Sequence, residues 1–272
     1  MTQDERWLLQ EKYAGKKTPE YEADKRRLAR GAPAAYVIGW QPFLGLSIHL
    51  DSRPLIPRPE TEWWTELLIQ DATVRRLKDV SDGDGRRDSK FLAKNYACPE
   101  GGAPLRLLDL CAGSGAIGCA VLARLPEARV YFGELDPAHE ETIRRNIREN
   151  GLDAARADIR IGDLFEPFGD MKFDSIAANP PYIPEKRTLP ESVTKWEPEA
   201  ALYAGADGLS LIRRIAAELP ERLSRSGIAW IECDSAHAEA ASKLFEKSGF
   251  RVEIRADQYG APRVIAVSFP ES

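Results

Sequence analysis

The chain has 272 residues and a formal net charge of −5, enough for one large domain and a small accessory one. Its apolar runs are too short to span a bilayer, and the opening MTQDERWLLQEK lacks the basic-then-apolar pattern of a secretory signal, so a cytosolic location is the expectation. The acidic balance argues against a broad nucleic-acid-binding face, since neutralising phosphates needs clustered Lys and Arg. Cys98, Cys111, Cys119 and Cys233 contain no CxxC pair, and His49, His139 and His237 lie far apart in sequence. Neither set has zinc-ligand spacing, so no metal site is expected.

In chain order, Thr18-Pro19 followed by Gly31 brackets one short helix within an N-terminal helical segment, 1–32. Residues 33–60 read as a hairpin linker whose two strands are AAYVIGW and LGLSIHL. Thr61 to Lys78 reads as a helix with Trp63, Trp64, Leu67 and Leu68 on one side. The polar, Gly-rich stretch from 79 to 104 reads as a loop or insertion, making 61–104 a helix-plus-insertion unit. From 105 to 272 strand-like and helix-like segments alternate. Strands are expected at Leu105–Leu110, Val130–Phe132, Ile159–Ile161, Phe173–Ala178, Ile228–Cys233, Arg251–Arg255 and Arg263–Ser268. Helices are expected at Ala116–Leu125, Pro137–Asn150, Leu209–Leu223 and Ala236–Lys247, the second with Asp136 as N-cap and Gly151 after its end. This βαβα order implies an α/β fold, a parallel doubly wound sheet with an antiparallel addition at its end.

LDLCAGSGAIG follows the first of these strands. Gly113 and Gly115 stand where strand turns into helix and let backbone N–H groups approach a ligand. Gly118 completes a G-x-G-x-x-G string, and Glu134 ends the next strand, where a carboxylate can accept hydrogen bonds from ribose hydroxyls. The string fits NAD and it fits S-adenosylmethionine. A pyrophosphate wants a bare helix N-terminus, whereas an ammonium and a sulfonium want carboxylates. Asp109, just before the turn, favours the cationic ligand. After the third strand, Asp163 in GDLF can meet an adenine amino group with Leu164 or Phe165 against the ring, or it can simply cap a helix before a core pair.

AANPPYIP closes the fourth strand. Two prolines fix φ and remove two N–H groups, leaving a rigid arc of acceptors: the Asn179 side-chain oxygen and the Pro180 carbonyl. Such an arc suits a substrate NH2 group. An amide or adenine nitrogen is a poor nucleophile because its lone pair is delocalised. Two acceptors on its N–H bonds aim the lone pair at a methyl donor, and those bonds strengthen as the nitrogen becomes positive. Tyr182 can lay its ring against the flat amide or base.

Asn179-Pro180-Pro181-Tyr182 resembles the signature of amino-group methyltransferases. GAPAAYVIGWQPFLGLSIHLDSRPLIPRPETEWW (31–64), LDLCAGSGAIG and WEPEAALYAGADGLSLIRRI (196–215) resemble, in turn, three motif regions of the HemK/PrmC family of protein-(glutamine-N5) methyltransferases. The resemblance implies a Rossmann-like, seven-stranded class I S-adenosylmethionine-dependent methyltransferase over 105–272, preceded by a short N-terminal helical segment and a β-hairpin linker. It implies methyl transfer to the glutamine of the Gly-Gly-Gln loop of class I peptide-chain release factors, with no membrane partner. It also implies that Asn179, Pro180 and Tyr182 are catalytic. Asp109, Cys111, Gly113, Gly115, Glu134, Leu135, Asp163, Leu164 and Asn179 would hold S-adenosylmethionine. Arg58, Pro59, Glu60, Thr61, Pro181, Tyr182 and Glu197 would border the substrate, with a buried salt-bridged joint as the second reading of Arg58 to Thr61. Three departures stand out: a shorter helical segment before Gly31, Cys111 where many relatives have glycine, and ECDSAHAEA without a glutamine common after the fifth strand. The alternative activity is adenine-N6 methylation of DNA or RNA, where a flipped base would stack on Tyr182. An NAD oxidoreductase or a silent binding module would leave the Asn179 loop without a task.

Overall fold

The computed structural model describes residues 1–81 and 104–271. Three helices open the chain. In α1 (Gln3–Glu11) a capping box forms: the Thr2 hydroxyl accepts from the Glu5 N–H and the Glu5 carboxylate accepts from the Thr2 N–H. In α2 (Pro19–Ala29) the Thr18 hydroxyl accepts from the Tyr21 N–H, and Pro19 fills the first position, where a missing N–H costs nothing. α3 spans Ala34–Ile38 and stops at Gly39, φ 105°. Leu8, Leu9, Tyr21, Val37 and Ile38 bury together, with Trp7, Trp40 and Trp196 packed around them.

α3 overturns the expectation that AAYVIGW forms the first hairpin strand. Five consecutive apolar residues carry no period-two alternation. Pro33, at φ −57°, starts a helical turn, and burial of Val37 and Ile38 among the first two helices decides for helix. The hairpin lies one step later, β1 (Trp40–Phe43) against β2 (Leu46–His49). Next, α4 runs from Pro59 to Ser81. Residues 79–81 therefore belong to this helix, and the remainder of the expected insertion, 82–103, lies outside the described residues.

The main sheet has seven strands among the described residues, in the order β5-β4-β3-β6-β7-β9-β8. They are β3 (Arg106–Leu110), β4 (Arg129–Glu134), β5 (Ala157–Ile161), β6 (Phe173–Ala178), β7 (Leu223–Glu232), β8 (Arg251–Ala256) and β9 (Pro262–Ser268). β3 to β7 are parallel neighbours, and β9 is antiparallel to both β7 and β8. The crossovers carry α5 (Ala116–Arg124), α6 (Glu140–Glu149), the short α7 (Glu191–Thr194), α8 (Ser210–Arg222) and α9 (Ala238–Lys247). The expected helix from Pro137 is a 3₁₀ turn (Pro137–His139) leading into α6, and the Asp136 carboxylate accepts from the Ala138 N–H. β7 starts at Leu223, earlier than expected.

Alternation along the strands splits the core into two layers. Ile228 and Trp230 join Trp64, Leu68 and the α5 residues on one face. Ala229 and Ile231 join Ile212, Ile215, Leu219 and Phe245 on the other. Asn146 and Asn150 pin the hairpin to α6. Asn146 Oδ1 accepts from the His49 N–H at 2.7 Å, and Asn150 Oδ1 accepts from the Ser47 N–H at 2.9 Å. Asn146 Nδ2 also donates to the Ser114 carbonyl at 2.9 Å, tying the hairpin to the glycine turn.

Chain order reverses between β3 and β6. Leu110 stands opposite Ala178, so the turn after β3 and the loop after β6 leave the sheet side by side, the position where open α/β sheets bind ligands. Close approach of α5 to β4 depends on Gly118: a Cβ there would lie 2.2 Å from Cε1 of the buried Phe132 ring. Gly118→Ala should cost about 1–3 kcal/mol by overpacking and lower the thermal midpoint by several degrees. An unchanged midpoint in a calorimetric scan would contradict this contact.

Candidate active site

A cavity opens at the reversal of chain order. Its walls include Cys111 to Ser114, Glu134 to Asp136, Gly162 to Leu164, Asn179 and Pro181, closed by Leu55, Pro57 and Thr61 from the linker and by Pro198, Ala200 and Ala201. Glu134, Asp136 and Asp163 line it, and among the described residues no Lys or Arg does. A wall of this charge suits a cation better than a pyrophosphate.

Glu134 is held by the backbone. Its Oε2 accepts from the Gly113 N–H at 2.7 Å and its Oε1 from the Asp136 N–H at 2.9 Å. Each carboxylate oxygen keeps a further lone pair, so the group remains able to accept from ligand hydroxyls. Leu135 is 63% exposed beside it, a large apolar side chain on the cavity wall. Gly115 caps α5 from the left-handed region, φ 74°. Cys111 (φ 61°) and Leu164 (φ 47°) are non-glycine residues in that same costly region, and both line the cavity. Burial and the nearby carboxylates push the Cys111 thiol well above its ordinary range, so it is no nucleophile at neutral pH.

Asp109 does not face the cavity. It is fully buried, and its Oδ2 accepts from the Gly118 N–H at 2.9 Å, holding the first turn of α5. That N–H is thus already occupied, a second reason why the helix start is poorly suited to a phosphate. Burial pushes the Asp109 carboxyl up to about 8, against the pull of the Gly118 hydrogen bond. A folded value above the unfolded one means the native state binds more protons, so this group lowers stability as pH rises from about 4 to 8. Asp109→Asn keeps an acceptor for Gly118 and should flatten that decline. Thermal midpoints from pH 5 to 8 measure it, and parallel wild-type and variant curves would contradict it.

The Asn179 loop is braced from behind. Asn179 Nδ2 donates to Thr61 Oγ1 at 3.1 Å. Among the described residues, no hydrogen bond ends on Asn179 Oδ1 or on the Pro180 carbonyl. Thr61 Oγ1 donates to Glu232 Oε2 at 2.6 Å, Trp64 Nε1 donates to the same oxygen at 2.7 Å, and the Tyr182 hydroxyl donates to Oε1 at 3.0 Å. Burial raises the Glu232 carboxyl, and these three donors pull it back down. The segment 202–208 laces to the loop: Ile183 N–H donates to Leu202 O and Ala204 N–H to Ile183 O, both at 2.9 Å. At Gly208 a Cβ would lie 2.3 Å from the Tyr182 carbonyl oxygen, so only glycine lets the two segments meet.

Known proteins match this chain. The methyltransferase small domain family matches residues 87–208. A release factor glutamine methyltransferase of Geobacter sulfurreducens is 34% identical over 226 residues, covering 82% of this chain and 68% of that protein. One of Bordetella pertussis is 35% identical over 253 residues, covering 90% and 83%. The chain belongs to the release factor glutamine methyltransferase family. It is therefore an enzyme chain of Rossmann-like class I methyltransferase fold. A ribosomal protein L11 methylase from Lactobacillus delbrueckii subsp. bulgaricus, 17% identical, superposes with a TM-score of 0.52 over 85% of this chain and 91% of that one, which agrees in fold.

Within this methyltransferase fold, several expected site residues stand apart from the cavity wall. Arg58 and Glu197 pair at 2.5 Å, and Glu197 Oε2 accepts from the Ile56 N–H at 3.2 Å. They form a joint between linker and the 196–208 segment, buried on the Glu197 side and half-exposed at Arg58, and neither lines the cavity; nor do Pro59 and Glu60. Asp163 lines the wall but caps no helix; it pairs with Arg214 at 2.7 Å. Tyr182 and Pro180 lie outside the wall, and the Tyr182 ring is half-buried with its hydroxyl on Glu232. Thr61 lines the wall, yet its hydroxyl is already engaged on both sides. Sequence reasoning missed Glu232, whose one signal was a carboxylate inside the apolar strand IAWIE. It also missed His139, Ala200 and Ala201, whereas Pro198, expected with Glu197 beside the pocket, does line the wall. Among the described residues no helix is long and apolar enough to cross a membrane.

Proposed function

We propose that this enzyme transfers a methyl group from S-adenosylmethionine to the side-chain amide nitrogen of the glutamine in the Gly-Gly-Gln loop of a class I release factor. The observation that carries the reading is the Asn179 loop. Among the described residues it presents two uncommitted acceptors, Asn179 Oδ1 and the Pro180 carbonyl, beside a cavity walled by acids without a Lys or Arg. The relatives' names supply the substrate class.

The residues fit S-adenosylmethionine. Glu134 keeps lone pairs for ribose hydroxyls, Leu135 and Leu164 offer apolar wall for the adenine, and the carboxylates suit a ligand with ammonium and sulfonium charge. When bound, S-adenosylmethionine supplies an electrophilic methyl group. Asn179 Oδ1 and the Pro180 carbonyl accept the two N–H bonds of the glutamine amide and hold its lone pair along one line. As the nitrogen becomes positive its protons become more acidic, so both hydrogen bonds strengthen in the transition state. The leaving proton passes to water. Tyr182, with its hydroxyl on Glu232, keeps the loop from shifting. Pro180 and Pro181 make that loop stiff.

Incubation with labelled S-adenosylmethionine and either a release factor or single-stranded DNA and RNA tests this. Label on the release factor alone is expected. Label on adenine alone would overturn the glutamine assignment.

A further inference from the structure

The proposed reaction needs the oxygen of Asn179, not its NH2, to face the substrate amide. The two ends of a primary amide differ little in shape, so a neighbouring group must choose between them. Thr61 Oγ1 sits between Asn179 Nδ2 and Glu232 Oε2, at 3.1 and 2.6 Å. A hydroxyl has one proton. Glu232 Oε2 also takes the Trp64 indole N–H, a group that can only donate. With the Tyr182 hydroxyl on Oε1, three donors converge on this one group, and both of its oxygens accept. The Thr61 proton therefore goes to Glu232. Only lone pairs remain for Asn179, which must turn its NH2 towards Thr61 and its oxygen towards the cavity.

Glu232 itself is 1% exposed at the end of IAWIE, the apolar second half of β7. Burying a carboxylate there is costly unless every lone pair finds a donor. We propose that Glu232 is a positioning residue, which through Thr61 sets the Asn179 amide oxygen-outward and with its other oxygen anchors Tyr182. The inference rests on the proposed reaction for its consequence, but on the hydrogen-bond polarity for its geometry.

The test compares Thr61→Val, Thr61→Ser, Glu232→Leu and Glu232→Gln. Measured quantities are kcat, KM for release factor, the Kd of S-adenosylmethionine and the thermal midpoint. Thr61→Val should lower kcat by about tenfold or more, the scale of one lost transition-state hydrogen bond, with KM and Kd little changed. Thr61→Ser returns the hydroxyl and should restore most of the turnover. Glu232→Gln can still accept from Thr61 and Trp64 while its NH2 turns to the Tyr182 oxygen, so it should outperform Glu232→Leu. Wild-type kcat in Thr61→Val, or equal loss in Val and Ser, would overturn the relay. Should Glu232→Leu not fold, the Thr61 pair decides. A wild-type protein without transfer would refute the reaction instead. The relay is then judged on the Asn179 side-chain NH2 signals in NMR, which Thr61→Val should shift and Thr61→Ser should keep.

Discussion

Asn179→Ala should lower kcat by about 10²–10³, the usual loss when one preorganised transition-state hydrogen bond is removed, while S-adenosylmethionine still binds. The reason for the split is where each function sits. The Asn179 oxygen has no partner among the described residues, so its removal leaves no buried group unsatisfied there except the Thr61 lone pair. The groups proposed to grip S-adenosylmethionine lie at the ends of β3, β4 and β5. Calorimetric titration should return a Kd within about threefold of wild type, well under the tenfold that 1.4 kcal/mol represents. Asn179→Asp is an instructive partner. A carboxylate keeps an acceptor towards the cavity but turns an oxygen towards Thr61, whose only proton already serves Glu232. It should not restore the activity. Equal loss of turnover and of S-adenosylmethionine affinity in Asn179→Ala would remove the catalytic role assigned to this side chain.

Glu134→Ala should produce the opposite pattern. Its carboxylate accepts from Gly113 and Asp136 N–H groups, and it is proposed to accept from the ribose as well. Losing charged hydrogen bonds worth about 1.5–3 kcal/mol should raise the Kd of S-adenosylmethionine by about 10–100-fold, with a smaller fall in kcat at saturation. Glu134→Gln should not rescue fully, because its NH2 would meet one of the two backbone N–H groups. An unchanged Kd would reject the ribose contact.

How much of this was legible beforehand follows from sequence distance. The turn from Gly113 to Gly118 and the Asn179 loop are contiguous stretches whose residue types state their backbone geometry, and both are where they were expected. Their adjacency followed from the βαβ order, because chain reversal puts β3 beside β6. Glu232 could not be read this way. Its partners Thr61, Trp64 and Tyr182 lie 171, 168 and 50 residues away, so nothing local marks it. Asp109 was legible in principle. Leu108 and Leu110 face one core layer and Leu107 the other, so strand parity sends Asp109 under α5 rather than into the cavity. The short helix Ala34–Ile38 was lost because an apolar run of five has no decisive period. Arg58 and Glu197 turned out to secure the linker to the cavity wall, the joint that charged pairs often serve.

The most direct measurement is a fragment spectrum of the release-factor peptide carrying Gly-Gly-Gln, taken after incubation with this enzyme and S-adenosylmethionine. A Gln-to-Ala substrate runs alongside. One methyl on the glutamine side chain, absent from the Ala substrate, is the predicted result. A methyl elsewhere on the factor, or none despite bound S-adenosylmethionine, would contradict the assignment of the Asn179 loop to a glutamine amide.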